Sequence, residues 1–468
     1  MESSLFLSPD ARITVREMDF YLNLVSLFGI VALGGFTWAL SENRGHIPWR
    51  TIIGGLILEL ILSFSILRLP LIRQIPGILS GVMEGFFIAS DVGARFIFGA
   101  TFVPLSHPPS TSHLGYTLAF QAIPSMIFFS GFLSLFHYFG IIGLWVGGLT
   151  KIVYRFMGIS GAEALSGFTT LFMGIEAVAV VKPFLPKMTR SEMCAILACG
   201  FGTAPFSILI VHAGFLRPYF PNITGHLISA SLLAIPACFI LAKIMIPEVA
   251  VPLTIDHIPS KFVLNHEPQI HDETIGGRPI QRTNPLDAAV LGAWDGVKLS
   301  VSMVVMLVVL LGIVSIINQF FAGLASAPAP VGSIFKFLTI QTVMGFIVFP
   351  FTLATGIPFD ETWQASVIMG KRFLETAVPA YHELGRAKAA GELSDRTVLI
   401  LSYALSGFAN LGSLGLLVGS LTALAPSRRQ EIIELGGKAL LIGTMATFLI
   451  ACVVGVWDNG NPVIWGHR

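Results

Sequence analysis

The chain has 468 residues, 54% of them hydrophobic and only 12% charged, with a mean hydropathy of +0.79. A soluble domain carries about 25% charged residues, and the deficit here is spread over several long stretches, which excludes a soluble enzyme held by one anchor. A net charge of +1 provides no basic field for phosphates, so no nucleic-acid partner is expected.

The N-terminus carries mixed charge (Asp10, Arg12, Arg16, Glu17, Asp19), and its first apolar run, Phe20 to Leu40, has no small-residue cleavage site. That run is long enough to cross a bilayer and reads as a span, not as a cleaved signal. Charge-poor stretches recur at 20–40, 51–67, 115–150, 193–216, 218–242, 299–335, 397–427 and 439–457. Each is expected to span as a helix, because in lipid only helices and closed barrels satisfy the backbone. The 115–150, 299–335 and 397–427 runs exceed one span, and Pro124, Gly407 and Gly412 mark places where they break or tilt. The four cysteines (Cys194, Cys199, Cys238, Cys452) all lie inside apolar runs, so no disulfide framework follows.

Two apolar but interrupted segments are expected as re-entrant hairpins: 156–186, with Glu163, Gly174 and Glu176, and 359–384, with Lys371, Arg372, Glu375 and Pro379. Each is followed by a polar turn and a long apolar helix. The first of these helices opens on a capping box, Thr189-Arg-Ser-Glu192, and the second near Ser394-Asp-Arg. The two helices share a short likeness, Gly200-Phe-Gly-Thr203 and Gly407-Phe-Ala-Asn410, which suggests a duplicated unit. Paired Gly-interrupted segments in two halves point to a transporter's midplane site. The hydrophilic stretch from Pro247 to Asp295 holds His257, His266 and His271 at no metal-ligand spacing and reads as a solvated loop. With both termini outside, the loops bearing Arg44 and Arg50, Lys182 to Arg190, and Arg428 and Arg429 face inward.

Charges inside such a chain are functional candidates by default. Glu176 stands alone between Ala164 and Val181 just after Gly174, so it is expected near the hairpin turn, holding a polar solute or a proton. Asn410 and Ser413 lie in a Gly-rich stretch of poor helix whose unwinding frees carbonyls, and Phe408 offers a face to a flat ring. The plainer role for that stretch is helix packing by small residues. For Glu375 the plainer account is an ion pair with Lys371 or Arg372. Glu59 is expected at an interface or against another subunit, and His137, His212 and His226 as structural residues. With no GxSxG, Walker loop or HExxH, transport outranks a membrane enzyme.

Several ordered blocks resemble the concentrative nucleoside transporter family: Ser41-Glu-Asn-Arg44, Trp49-Arg-Thr51, Pro124 to Ser130, Gly161 to Ser166, Lys182 to Glu192, His226 to Glu248, Asn284 to Leu299, Tyr403 to Ser413, and Ala425 to Arg429. The resemblance implies an all-α polytopic membrane protein: eight transmembrane helices, two re-entrant helical hairpins and interfacial helices. These form an inverted-repeat transport domain with a trimerisation scaffold. Its parts are expected at 1–110 (N-terminal helices and interfacial segment), 111–250 (scaffold helix, first hairpin and following helices), 251–296 (hydrophilic loop), 297–358 (scaffold and interfacial helices) and 359–468 (second hairpin and last two helices). The family imports nucleosides by an elevator-like movement driven by Na+ or H+, without a resident cofactor. A homotrimer in a bacterial inner membrane is the implied setting.

Carried over by residue, Phe408, Asn410 and Ser413 match positions that hold chiefly the ribose, and Ile208 falls where a small apolar residue touches the base. The first hairpin departs: the family's Gly-Gln-Thr-Glu-Ala-Pro is here Gly174-Ile-Glu-Ala-Val178, with Glu176 standing in for the family glutamate. In the second, Thr376-Ala377 replaces an Asn-Glu pair, so a ribose-binding carboxylate is missing unless Glu375 substitutes. At the cation site Thr170 replaces an Asn and Thr203 a Ser, so proton coupling through Glu176 competes with Na+. The cargo is therefore a nucleoside or a related solute, with two alternatives: another small polar solute carried by the same fold, or a non-transporting solute-binding membrane module.

Overall fold

A computed structural model describes residues 9–69, 74–103, 116–255, 274–275, 278–279, 284–326, 328, 335–336 and 338–465. Three helices lead: α1 (Pro9–Ala39), α2 (Trp49–Arg68) and α3 (Gln74–Phe98). Two successions of the same kind follow. The first is α4 (Ile123–Tyr138), α5 (Ile141–Met157), a hairpin of α6 (Gly161–Met173) and a 3-10 arm (Gly174–Val181), then α7 (Arg190–Gly202), α8 (Phe206–Leu216) and α9 (Ile223–Met245). The second is α10 (Pro285–Ala325), α11 (Ile340–Ala354), a hairpin of α12 (Phe359–Leu374) and α13 (Ala377–Ala389), then α14 (Asp395–Ala404), α15 (Leu411–Leu424) and α16 (Arg429–Trp457). A short α17 (Pro462–Trp465) ends the described chain, and a two-residue ladder pairs Thr274–Ile275 with Arg278–Pro279. The matching order of two helices, a hairpin, a broken helix and a closing helix contains the repeated succession of hairpin, polar turn and Gly-interrupted helix expected from the sequence.

Among the described residues 8 helical stretches are long and apolar enough to cross a membrane. They differ in two places from the runs read off the sequence. Gln74–Phe98 joins them, although Glu84, Asp91 and Arg95 interrupt its apolar run. Glu84 is met by Arg217 at 3.1 Å, and that guanidinium lies 4.6 Å from the centre of the Phe87 ring. The 397–427 run drops out because it is two short helices, α14 and α15, parted by an unwound stretch. The 115–150 run is likewise two helices, divided at Gly140 with its φ of 73°. Helix α10 starts inside the segment read as loop: Asn284 caps Asp287 N at 2.9 Å and Pro285 sits in the first turn. The histidine-bearing part of that loop, 257–273, lies outside the described residues.

Burial separates the helices into two groups. The most apolar stretch of α7 and α8 is 94% buried and that of α10 only 22%. The packed centre is α7, α9 and α16, where small residues let backbones approach. A Cβ on Gly202 would lie 2.2 Å from the Cys238 sulfur, and one on Gly443 would lie 2.8 Å from Gly202 N. Buried charge is matched by charge: Lys243 pairs with Glu163, which also closes a capping box with Ser160, and with Glu248 at 3.1 Å. Arg396 knots the two ends of the chain, donating to Asn23 Oδ1 at 2.7 Å, Gly356 O at 2.9 Å and Gly455 O at 3.0 Å, beside Asp458 at 3.4 Å. His226 contacts Tyr403 Oη at 2.9 Å and Ile464 O at 3.1 Å, the structural role expected for it. Glu59 differs from expectation: it is wholly buried among helices of this same chain.

Glu42, in the connection between α1 and α2, bonds Arg190 at the head of α7 at 2.9 Å; Arg190 also meets Glu434 at 2.5 Å, and Lys438 also pairs with Glu42. The Arg190 guanidinium holds the Glu42 carboxyl below its usual range. A depressed carboxyl contributes stability above its unfolded value and loses it as pH falls through the folded one. Glu42→Gln is therefore expected to lower stability by at most about 1 kcal/mol at neutral pH and by nothing once the medium is acidic enough to protonate Glu42. Thermal unfolding in detergent across pH reads this.

Candidate functional site

Two helix breaks meet at the centre. The first parts α7 from α8 at Thr203-Ala204-Pro205: proline cannot continue the hydrogen-bond ladder, and Thr203 is already extended, with a φ of −108° and a ψ of 162°. The tip of the first hairpin docks on this break. Gly174 turns there with a φ of +63°, and a Cβ on it would come within 3.1 Å of Pro205 Cγ. The second break parts α14 from α15 over residues 405–410. The two cross directly: Phe408 N donates to Phe201 O at 2.9 Å, and a Cβ on Gly407 would meet Gly202 O and Thr447 Cγ2 at 2.7 Å each. The two segments whose sequences look alike thus touch each other.

Around this crossing the structure brings together most of the expected site. Ile208 is buried in an apolar cluster with Val211, Met303, Leu307 and Val378, and Phe408 packs against it. Asn410 and Ser413 are both 1% exposed and form a reciprocal cap on α15. Asn410 Oδ1 accepts from Ser413 N at 2.9 Å, Asn410 N donates to Ser413 Oγ at 3.1 Å, and Asn410 Nδ2 donates to Phe408 O at 3.2 Å. The unwound turn is thereby fixed by the side chains expected to bind. One Asn410 N–H and lone pairs on both side chains stay available to a solute.

Thr170 and Thr203 also come together, their hydroxyl oxygens 3.0 Å apart. Thr170 donates to Gly167 O at 2.5 Å, and Thr203 lies 2.8 Å from Cys199 O. These are hard oxygen donors of the kind a hard cation takes, here hydrogen-bonded among themselves. The backbone of Glu176 lies in the 3-10 arm, and its side chain lies outside the described residues.

Glu375 is placed elsewhere, and the ion pair proposed for it is not the one formed. Lys371 pairs with Glu383 at 2.9 Å, while Glu375 accepts from Gln341 Nε2 at 2.8 Å. Glu375 lines a cavity of about 430 Å³ with Leu311, Val314, Ser315, Asn318 and Gln341. Thr376 caps α13 through Val378 N, and Ala377 is buried beside it.

Arg372, expected as a partner for Glu375, takes a different place. It is 2% exposed, with Nη1 donating to Ala404 O at 2.7 Å and Thr447 Oγ1 at 2.8 Å. It caps the carbonyl end of α14, where a positive charge is favourable. Only the fold reveals this: α14 and α16 converge on a side chain that is distant from both in sequence.

Models of the Na+ dependent nucleoside transporter N-terminus and C-terminus match residues 28–101 and 226–455, and a nucleoside recognition model matches residues 119–219. An uncharacterized transporter of Haemophilus influenzae is 30% identical over 93% of this chain and 97% of its own length. The nucleoside permease NupC of Helicobacter pylori is 27% identical over 94% and 99%. Solute carrier family 28 member 3 of Mus musculus is 29% identical over 94% of this chain, which spans 60% of that longer protein. Among solved structures, CNTnw in an inward-facing substrate-bound state aligns with a TM-score of 0.78 at 27% identity over 93% of this chain and 98% of that one. An outward-facing variant of CNTnw gives 0.80 at 28% identity over the same shares, so the likeness speaks to the fold and not to one state. The crossing of two broken helices beside two hairpins thus defines a membrane transporter. The chain belongs to the Na+-dependent, concentrative nucleoside transporter family, whose members are transporters and not enzymes.

Proposed function

We propose that this chain imports nucleosides against their gradient, with Phe408, Asn410, Ser413 and Ile208 as the solute-holding residues. The observation that carries the reading is the crossing at Gly202 and Gly407. An aromatic face and an apolar wall pack together beside it, and an amide and a hydroxyl cap the helix that follows, which supports a solute site drawn from both repeated units. The hairpin-bearing unit moves as an elevator against the N-terminal helices and α10. The protein works as a homotrimer in a bacterial inner membrane, the weakly buried faces of α10 covered by lipid and neighbouring copies.

The coupling ion is Na+ or H+: the Thr170–Thr203 pair supports the first, and the family glutamate position at Glu176 the second. Uptake of labelled nucleosides, nucleobases and unrelated solutes into proteoliposomes, with Na+ and H+ gradients imposed separately, tests the whole reading. Accumulation of no nucleoside under either gradient overturns it. Thr203→Val is expected to erase any stimulation by Na+ over choline, and to lower stability by about 1 kcal/mol through the lost hydroxyl bonds.

A second reading, a non-nucleoside polar solute, is favoured by the second hairpin. Thr376 and Ala377 stand where the ribose-binding carboxylate is expected, and Glu375 is turned to Gln341. The same solute panel separates the two.

A further inference from the structure

Glu59 stands at the midpoint of α2, the only charge between Arg50 and Arg68. It is 0% exposed, and neither carboxyl oxygen has a hydrogen-bond partner among the described residues. The nearest hydroxyl on its own helix, that of Ser63, donates to the Glu59 backbone carbonyl at 2.7 Å and not to the carboxyl. The residues on either side of it along α2 pack on apolar groups. One turn before it, Gly55 packs on Ile240 of α9 and Met157 of α5; beyond it, Phe64 meets Trp457 of α16 with ring centres 5.0 Å apart.

The titratable groups on the elements packed against α2 are engaged elsewhere or distant. On α9, His226 holds Tyr403 and Ile464, Cys238 bonds Ala198 O, and Lys243 pairs with Glu163 and Glu248. On α16, Arg429 makes no bond to Glu59, Glu431 pairs with Arg428, Glu434 and Lys438 belong to the Glu42 network, and Cys452 faces Ala354 O. On α5, Tyr154 donates to Ile255 O, and Lys151 and Arg155 make no bond to Glu59; on α3, Glu84 pairs with Arg217, and Asp91 and Arg95 make none. Among the described residues no charged side chain bonds to the Glu59 carboxyl.

A carboxylate anion so placed forgoes every hydrogen bond and every counter-charge, whereas the neutral acid is buried at far lower cost. The anion is admitted only when the contact of α2 with α9 and α16 opens to water. Those two helices close the two repeated units, and α2 belongs to the N-terminal helices outside them. Taking up or releasing a proton at Glu59 is thus tied to the units closing on α2 or parting from it. We propose that Glu59 is a proton-binding site that couples solute movement to a proton gradient, loaded in the closed packing and emptied when it opens. This rests on the transporter reading above and names its ion.

The test uses the full chain in proteoliposomes, wild type and Glu59→Gln, a neutral isostere that preserves the packing. With labelled uridine as the first probe, a gradient of one pH unit is expected to drive about tenfold accumulation in the wild type at one proton per solute. In Glu59→Gln, accumulation is expected to fall to the level reached without a gradient, while solute counterflow stays within about twofold of wild type. Gradient-driven accumulation that survives in Glu59→Gln, or wild-type accumulation driven by Na+ alone, overturns the proposal.

A readout independent of cargo is labelling by dicyclohexylcarbodiimide, which attacks protonated carboxyls in apolar surroundings. Glu59 is expected to be modified, as counted by mass spectrometry, and progressively less as pH rises. No labelling at any pH from about 5 to 9 overturns the site. If the wild type carries no nucleoside yet Glu59 labels with that pH dependence, the cargo reading fails and the proton site stands.

Discussion

Gly407→Ala is expected to abolish uptake and to cost about 1–3 kcal/mol of stability, the usual range for overpacking a tight site. The added methyl meets the Gly202 carbonyl oxygen and Thr447 Cγ2 at 2.7 Å, and the Arg372 Nη2 atom at 3.0 Å. None of the three has room to retreat. The carbonyl belongs to the end of α7, Thr447 is buried in α16, and Arg372 is held on Ala404 and Thr447. Relief requires the two broken helices to separate, which also pulls Phe408 N off Phe201 O. Gly419→Ala is the control. Nothing lies within 4 Å of the methyl it adds on α15, so only the helix propensity changes, in the stabilising direction by roughly 0.5–1 kcal/mol. Thermal unfolding of both variants, with solute counterflow, separates crowding at the crossing from a general intolerance of larger residues.

Asn410 serves both fold and site, and two substitutions divide the roles. Asn410→Ala removes the acceptor for Ser413 N and is expected to cost about 1–2 kcal/mol as a lost helix cap, with solute affinity falling at least tenfold. Asn410→Asp keeps an acceptor at the cap, where a negative charge at a helix N-terminus is favourable, but loses the Nδ2 donor. Its melting temperature is therefore expected near wild type while solute binding is still lost. If Asn410→Asp binds normally, the amide acts only as a cap. Solute-induced thermal shift, measured beside the unliganded melting temperature, reads both quantities from one sample.

The parts of the molecule legible in the sequence were those governed by local rules. Apolar length marked most spans, and Thr189 with Glu192 and Ser394 with Thr397 are helix caps where the polar turns placed them. The likeness of Gly200–Thr203 to Gly407–Asn410 located the crossing, because close backbone contact there requires small residues in both copies. What stayed hidden depends on partners far along the chain. Helix α3 is masked by its charges, one of which, Glu84, pairs with Arg217 at α8's end. Glu375 and Lys371 lie four residues apart yet bond to Gln341 and Glu383, since the hairpin folds those side chains to opposite neighbours. Glu59 is expected at an interface or against another subunit, because its burial within this chain comes from helices that no window around α2 contains.

The knot at Arg396 sets a clock on biogenesis. Asn23 Nδ2 donates to Asp458 O at 3.2 Å across 435 residues of sequence, and Arg396 joins both ends to the turn at Gly356. A ribosome adds about 5–20 residues per second, so α1 waits roughly 20–90 s in the membrane before its polar partners emerge. During that interval Asn23 faces lipid or an insertion factor. A message truncated before α14 leaves it there permanently, a polar blemish on an otherwise apolar first span that quality control can detect.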